Sequence, residues 1–263
     1  MQITRKSRAE IAKMRSAGRI VAEVLALAEE ALAPGISTAD LDRLAEEHIR
    51  GAGGIPSFLG YLGGRRYDHR HPNAYPASTC ISIDDEIVHG IPGNRRIEAG
   101  QLVSIDVGAI YDGWHGDGAR TFICGGEAAA KPAAVQLVAA TRLALMAGIA
   151  AARPGNRIGN ISAAVEDVAT RGGFGIVRHY VGHGIGTSMH EDPQVPNFRT
   201  RSPGIELQPG HCLAIEPMLT LGSEATETLD DNWTVVTEDG SLAAHFEHTI
   251  AITADGPEIL TTV

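Results

Sequence analysis

An α+β fold with a mainly antiparallel sheet is predicted by three features of the sequence. Helical and strand-like stretches come in blocks instead of alternating, which disfavours a parallel sheet with crossover helices. Asp112-Gly113 lies between two apolar-alternating runs, a strong signal for a two-residue hairpin turn. The chain also repeats a pattern of helix, helix and strands, with an acidic residue near the end of one strand in each half. Pro34-Gly35 separates two helical stretches, and Pro154-Gly155 does the same further on. AGQLVSID (99–106) is similar to PGHCLAIE (209–216), with a carboxylate six residues after the glycine in both. We therefore expect one domain over 1–263, made of two pseudo-repeats at about 1–130 and 131–263.

Local signals place the elements in order. Ser7-x-x-Glu10 is a capping box, and Ile11, Met14, Val21 and Leu25 then recur at helical spacing as core residues. A second helix, ISTADLDRLAEEHI, runs out at Gly51. Runs rich in β-branched residues predict strands at 79–83, 101–111 and 114–123. Helices follow over 135–151 and in ISAAVEDVA, which stops at Gly172-Gly173; strands are expected at 211–216, 233–237 and 244–252.

Composition narrows the function. A formal charge of −10 argues against nucleic acid as the main partner, because phosphate binding needs a basic surface; Arg65-Arg66 reads as solvated loop charge. No apolar run is expected to reach the roughly 20 residues of a membrane helix, and MQITRKSRAEIAKM lacks the apolar stretch of a secretory signal. Cys80, Cys124 and Cys212 are too few and too scattered for a disulfide framework or a zinc finger. A cytoplasmic setting fits.

Across a two-residue hairpin, Tyr111 faces Trp114 and position 108 faces 117. Asp106 then shares a sheet face with Asp117, diagonal to it and roughly 7–8 Å away at the backbone. Two like charges that close, half buried, call for a cation between them. His183 sits between glycines, with His190 seven residues on, and His89 repeats the His-Gly-Ile pattern. Glu216 lies in the apolar run LAIEPM and Glu247 in HFEHTIAI. An acid in such a strand is disfavoured unless paired or metal-bound. Hard oxygen donors with one imidazole suit Mn, Fe, Co or Zn.

These segments resemble the type I methionine aminopeptidases of the pita-bread fold, over about Ser7 to Thr261. The resemblance rests on Asp106 in SIDVG, Asp117 in HGDGA, His183 in GHGIG, Glu216 in IEPM, Glu247 in FEHT, His89 in VHGIP and His190 in MHEDPQV. It implies two divalent ions held by the five ligands, Asp117 and Glu247 bridging. A hydroxide between the ions would attack the first peptide bond of a nascent chain and remove the initiator methionine ahead of a small second residue. It implies that His190 stabilises the oxyanion, His89 serves the amine, and Glu216 shuttles the proton. Phe58, Tyr61, Tyr75, Cys80, Met189 and Trp233 are expected to line the methionine pocket.

The partners implied are nascent N-termini, with ribosome association open and the chain a monomer. Proline-specific relatives typically carry an added N-terminal domain, for which this chain is expected to have no room. A different first-residue preference, or a non-catalytic member of the fold, is the alternative. One segment departs from the family: between LGY (59–61) and YPASTC (75–80) the chain is longer, and this insert should border the pocket. His69 and His71 within it read as solvated loop histidines.

Overall fold

The computed structural model describes residues 3–63 and 66–263, so Gly64 and Arg65 of the insert lie outside them. Among the described residues four α-helices form: α1 (Arg8–Ala31), α2 (Thr38–Gly51), α3 (Pro132–Ala151) and α4 (Ile158–Gly172). Both arms of the Ser7–Glu10 capping box close, with Ser7 N–H donating to Glu10 Oε2 at 2.7 Å. Met14, Val21, Val24 and Leu25 of α1 are buried. At one point α1 meets the sheet without side chains between them. A Cβ on Gly116 would come within 2.6 Å of the Gly18 nitrogen, so only glycine allows this approach.

Helix α3 corrects one expectation. It has 20 residues with a mean hydropathy of 1.6 in its most apolar window, long and apolar enough by composition to cross a membrane. Here it packs by one face against the fold: Leu137, Thr141, Leu145 and Ile149 are buried, Gly148 fits against Ile161 and Val165 of α4, and Leu143 and Met146 stay exposed.

Every strand pairing described is antiparallel. The hairpin of Leu102–Tyr111 and Trp114–Ile123 pairs along its full length, placing Tyr111 opposite Trp114 and Gly108 opposite Asp117. Its turn residues, Asp112 at φ 49° and Gly113 at φ 79°, are both left-handed, as a type I′ turn requires. Strand Thr79–Ile83 flanks the hairpin, with Cys80 opposite Asp106. A five-stranded sheet runs in the order Gly256–Ile259, His248–Thr253, Cys212–Ile215, Gly182–Gly184, Glu191–Val195. The two sheets are joined beside Asp117. Its N–H donates to Thr249 Oγ1 at 3.0 Å, while that hydroxyl donates back to Asp117 O at 2.8 Å.

The expected strand over 244–252 is two strands, Ala243–His245 and His248–Thr253. The first pairs with Met218–Thr220, the second with Cys212–Ile215 and Gly256–Ile259. The chain changes sheets at Phe246-Glu247, where Glu247 instead exchanges backbone bonds with Ala119. Glu216 is also outside its strand, one residue past Cys212–Ile215, where Pro217 has no N–H to continue the ladder. The strand expected at 233–237 narrows to Val235–Thr237, because Asp231 Oδ1 captures the N–H groups of Trp233 and Thr234 at 2.8 Å.

The two helix pairs are tied down alike. Gly35 N–H donates to Ile97 O and Ala39 N–H to Gly93 O; Gly155 N–H donates to Leu207 O and Gly159 N–H to Pro203 O.

Candidate metal centre

All five expected ligands converge where the two sheets meet. Asp117, His183 and Glu247 each present a donor atom, all within 4.8 Å of one another. His183 Nε2 is 3.8 Å from Asp117 Oδ2 and 3.5 Å from Glu216 Oε1. Asp106 closes the group as the diagonal neighbour of Asp117 that the hairpin register dictates, both carboxylates facing the same cavity. His183 Nδ1–H donates to Gly184 O at 2.9 Å, which leaves the Nε2 lone pair facing the carboxylates.

Burial without counter-charge dominates the electrostatics. Desolvation raises the Asp106 carboxyl to about 7, and raises Asp117, Glu216 and Glu247 well above their ordinary range, with mutual repulsion adding to the last three. Desolvation likewise lowers His183 to about 3 and both His89 and His190 to about 4. Asp106 Oδ1, Asp117 Oδ1 and Glu247 Oε1 are buried without a hydrogen-bond partner among the described residues. Unsatisfied buried carboxylate oxygens destabilise a fold unless a cation takes them. Four carboxylates and a neutral imidazole with a free lone pair therefore fit divalent metal.

The centre opens into a cavity of about 130 Å³ that holds every residue expected there: Phe58, Tyr61, Tyr75, Cys80, Met189 and Trp233, with His89 and His190 on its wall. Two of them do more than supply apolar surface. Tyr61 Oη and His190 Nδ1 share a hydrogen bond at 2.5 Å, which holds the imidazole of His190 in place on the cavity wall. Tyr75 Oη is buried against the carbonyl oxygens of Thr79 (3.0 Å) and Gly90 (2.9 Å), leaving only its ring for the wall. His89 holds a left-handed backbone (φ 61°) that few bulky residues adopt, with its ring edge-on to Tyr180 and Trp233.

The insert leaves and returns at one point: Gly60 N–H bonds to Tyr75 O and Tyr75 N–H to Tyr61 O. This is an Ω-loop closed at its neck. Tyr67 lays its ring against Tyr61 at 5.4 Å, so the loop borders the pocket through Tyr61, and none of its described residues lines the cavity. His69 and His71 are exposed and belong to no metal-ligating group among the described residues.

The sequence reading missed His245 and His115. His115 Nδ1 is 3.0 Å from Ser57 Oγ, behind the pocket. His245 is buried beside Glu216, its Nε2 3.9 Å from Glu216 Oε2. The only available signal was a histidine two residues before Glu247 in a run of small apolar residues, AAHFE.

A buried carboxylate–imidazole centre at the mouth of an apolar cavity, on paired antiparallel sheets, defines a metal-dependent hydrolase. The chain belongs to metallopeptidase family M24, which it matches over residues 12–254. It is 48% identical to the methionine aminopeptidase of Clostridium acetobutylicum over 97% of both chains. It is 49% identical to methionine aminopeptidase 1 of Mycobacterium tuberculosis, over 98% of this chain and 95% of the relative. The crystal structure of methionine aminopeptidase from Thermotoga maritima superposes with a TM-score of 0.92 at 40% identity, covering 100% of both chains. A prolidase from Pyrococcus furiosus shares the fold (TM-score 0.75, 22% identity) but is covered over only 65% of its length. The fold is the pita-bread fold.

Proposed function

We propose that this chain is a methionine aminopeptidase, removing the N-terminal initiator methionine of nascent proteins and peptides when the second residue is small. The observation that carries the reading is the direct opening of the carboxylate–imidazole centre into one small apolar cavity. That juxtaposition suits recognition of a single apolar side chain next to the bond to be cut. Cys80, Met189 and the aromatic rings of Phe58, Tyr61, Tyr75 and Trp233 favour a flexible thioether.

Asp106, Asp117, His183, Glu216 and Glu247 would hold two divalent ions of the Co, Mn, Fe or Zn class. Ions held there supply a water acidic enough to serve as hydroxide near neutral pH and a positive charge beside the scissile carbonyl. The chain's own groups do the rest. His190, held in orientation by Tyr61, donates to the oxygen that becomes negative, a contact worth on the order of 3 kcal/mol. Glu216 takes the proton released as the carbonyl is attacked and delivers it to the departing amine, which His89 orients.

The substrate places the work in the cytoplasm, where nascent N-termini emerge, with any ribosome contact transient and the chain acting as a monomer. The matched ties of α1–α2 and α3–α4 support a single domain of two repeats, 1–130 and 131–263.

A panel of tripeptides varying in the first and second residues, run on metal-loaded protein, tests the function. Met-Ala-Ser should be cleaved and peptides with proline-directed or non-methionine termini should not; the reverse order would replace the assignment. Asp106→Asn and Glu247→Ala should abolish cleavage while far-UV circular dichroism stays unchanged, and activity that survives chelation would remove the metal scheme.

A further inference from the structure

His245 is the one buried histidine at the centre that the scheme above does not use. It is 2% exposed, and its Nε2 has no hydrogen-bond partner among the described residues. Its backbone is locked: Thr121 Oγ1 accepts from His245 N–H and donates to His245 O, both at 2.8 Å, and Ser104 Oγ donates to Thr121 Oγ1 at 2.8 Å. The backbone of His245 is therefore anchored to the hairpin strand, and its ring is buried beside Glu216.

The two oxygens of Glu216 face opposite ways. Oε1 is 3.5 Å from His183 Nε2, toward the proposed ion site, and Oε2 is 3.9 Å from His245 Nε2. Asn197 Nδ2 holds the backbone of Glu216 by donating to its carbonyl at 3.0 Å. No donor among the described residues is within hydrogen-bond distance of either carboxylate oxygen. The arrangement thus contains an orphan buried donor and an undonated carboxylate oxygen facing each other. A gap of 3.9 Å is not a hydrogen bond. The last torsion of a glutamate is broad, so a small carboxylate rotation closes it at little energy. A buried polar nitrogen left without a partner destabilises the fold, which favours closure.

We propose that His245 is a positioning residue for Glu216. Its Nε2–H takes Oε2, which turns Oε1 to the ion and holds the carboxylate in one orientation. This rests on Glu216 being a metal ligand. Outer partners of that kind alter metal affinity by roughly 10–100-fold when removed.

The test is calorimetric titration of the metal-free protein with Mn(II), on the parent, His245→Ala, His245→Leu and His245→Gln. One of the two ions should bind roughly 10–100-fold more weakly in the Ala and Leu variants. Gln, which keeps a donor, should restore affinity to within about threefold. The visible absorption of the Co(II)-loaded protein should change for Ala and Leu and return toward the parent for Gln. Parent-like affinity in a folded Ala or Leu variant overturns the proposal, as does a Gln variant as weak as Leu, which would make the effect one of shape. If Ala does not fold, Leu, closer in volume, gives the same comparison. A parent that binds Mn(II) but cleaves no methionyl peptide refutes the function and leaves the titrations decisive. A parent that binds no divalent ion overturns both.

Discussion

Tyr61 and His190, 129 positions apart in the sequence, meet with the phenol oxygen 2.5 Å from the imidazole Nδ1. The residue expected as apolar wall thus also fixes the orientation of the His190 ring. Tyr61→Phe keeps the ring and removes the hydroxyl. Loss of a neutral hydrogen bond is worth about 1 kcal/mol, so kcat for Met-Ala-Ser should fall roughly fivefold. KM should be little changed; a rise in KM with constant kcat would assign Tyr61 to binding alone.

The Ω-loop closes at Gly60, Tyr61 and Tyr75, so residues 66–74 can be shortened without pulling its neck apart. Tyr67, stacked on Tyr61, leaves with them. Affinity for methionyl substrates should weaken several-fold while metal content by atomic emission stays at the parent level. A shortened protein that purifies without metal would make the loop a support of the centre.

The contact between Gly18 and Gly116 is backbone against backbone, one residue before Asp117. Gly116→Ala must push α1 off the hairpin. Overpacking of this kind costs about 1–3 kcal/mol, and for a chain of this size each kcal/mol lowers Tm by roughly 2–4 °C. Scanning calorimetry should show that drop, together with weaker metal binding because Asp117 moves with its strand. An unchanged Tm would mean that the helix yields freely.

Metal binding should strengthen with pH. In the metal-free protein Asp106 titrates near 7, raised from 3.8 by burial. A raised carboxyl contributes stability that is full below pH 3.8 and lost as pH rises through about 7. Metal replaces those protons, so the Tm gain on adding Mn(II) should be larger at pH 8 than at pH 6, with protons released on binding. His183, lowered to about 3, does not compete for the metal in this range. Equal Tm gains at both pH values would show that the carboxyls are already ionised without metal.

Much of this architecture was legible from local chemistry. The Ser7–Glu10 capping box, the Asp112-Gly113 turn and the glycines that stop α2 and α4 act within a few residues, so the sequence alone placed α1 and the hairpin. The same turn fixed the facing of Asp106 and Asp117, because side chains alternate strictly along a strand. His183, Glu216 and Glu247 were placed by family motifs, since their strands carry no periodic signal linking them.

Tertiary structure decided the rest, because it depends on contacts between distant segments. The break at Phe246-Glu247 arises from a change of partner strand, which no local pattern in 244–252 announces. Nor could composition show that α3, apolar enough for a membrane, is a core helix packed on α4. The phenol of Tyr61 and the imidazole of His245 acquire their meaning only from what stands opposite them, His190 and Glu216. By itself the sequence determined most of the elements, the shared face of the two aspartates and the set of candidate ligands. Folding decided how those ligands are held, because hydrogen-bond partners are chosen by proximity in space and not along the chain.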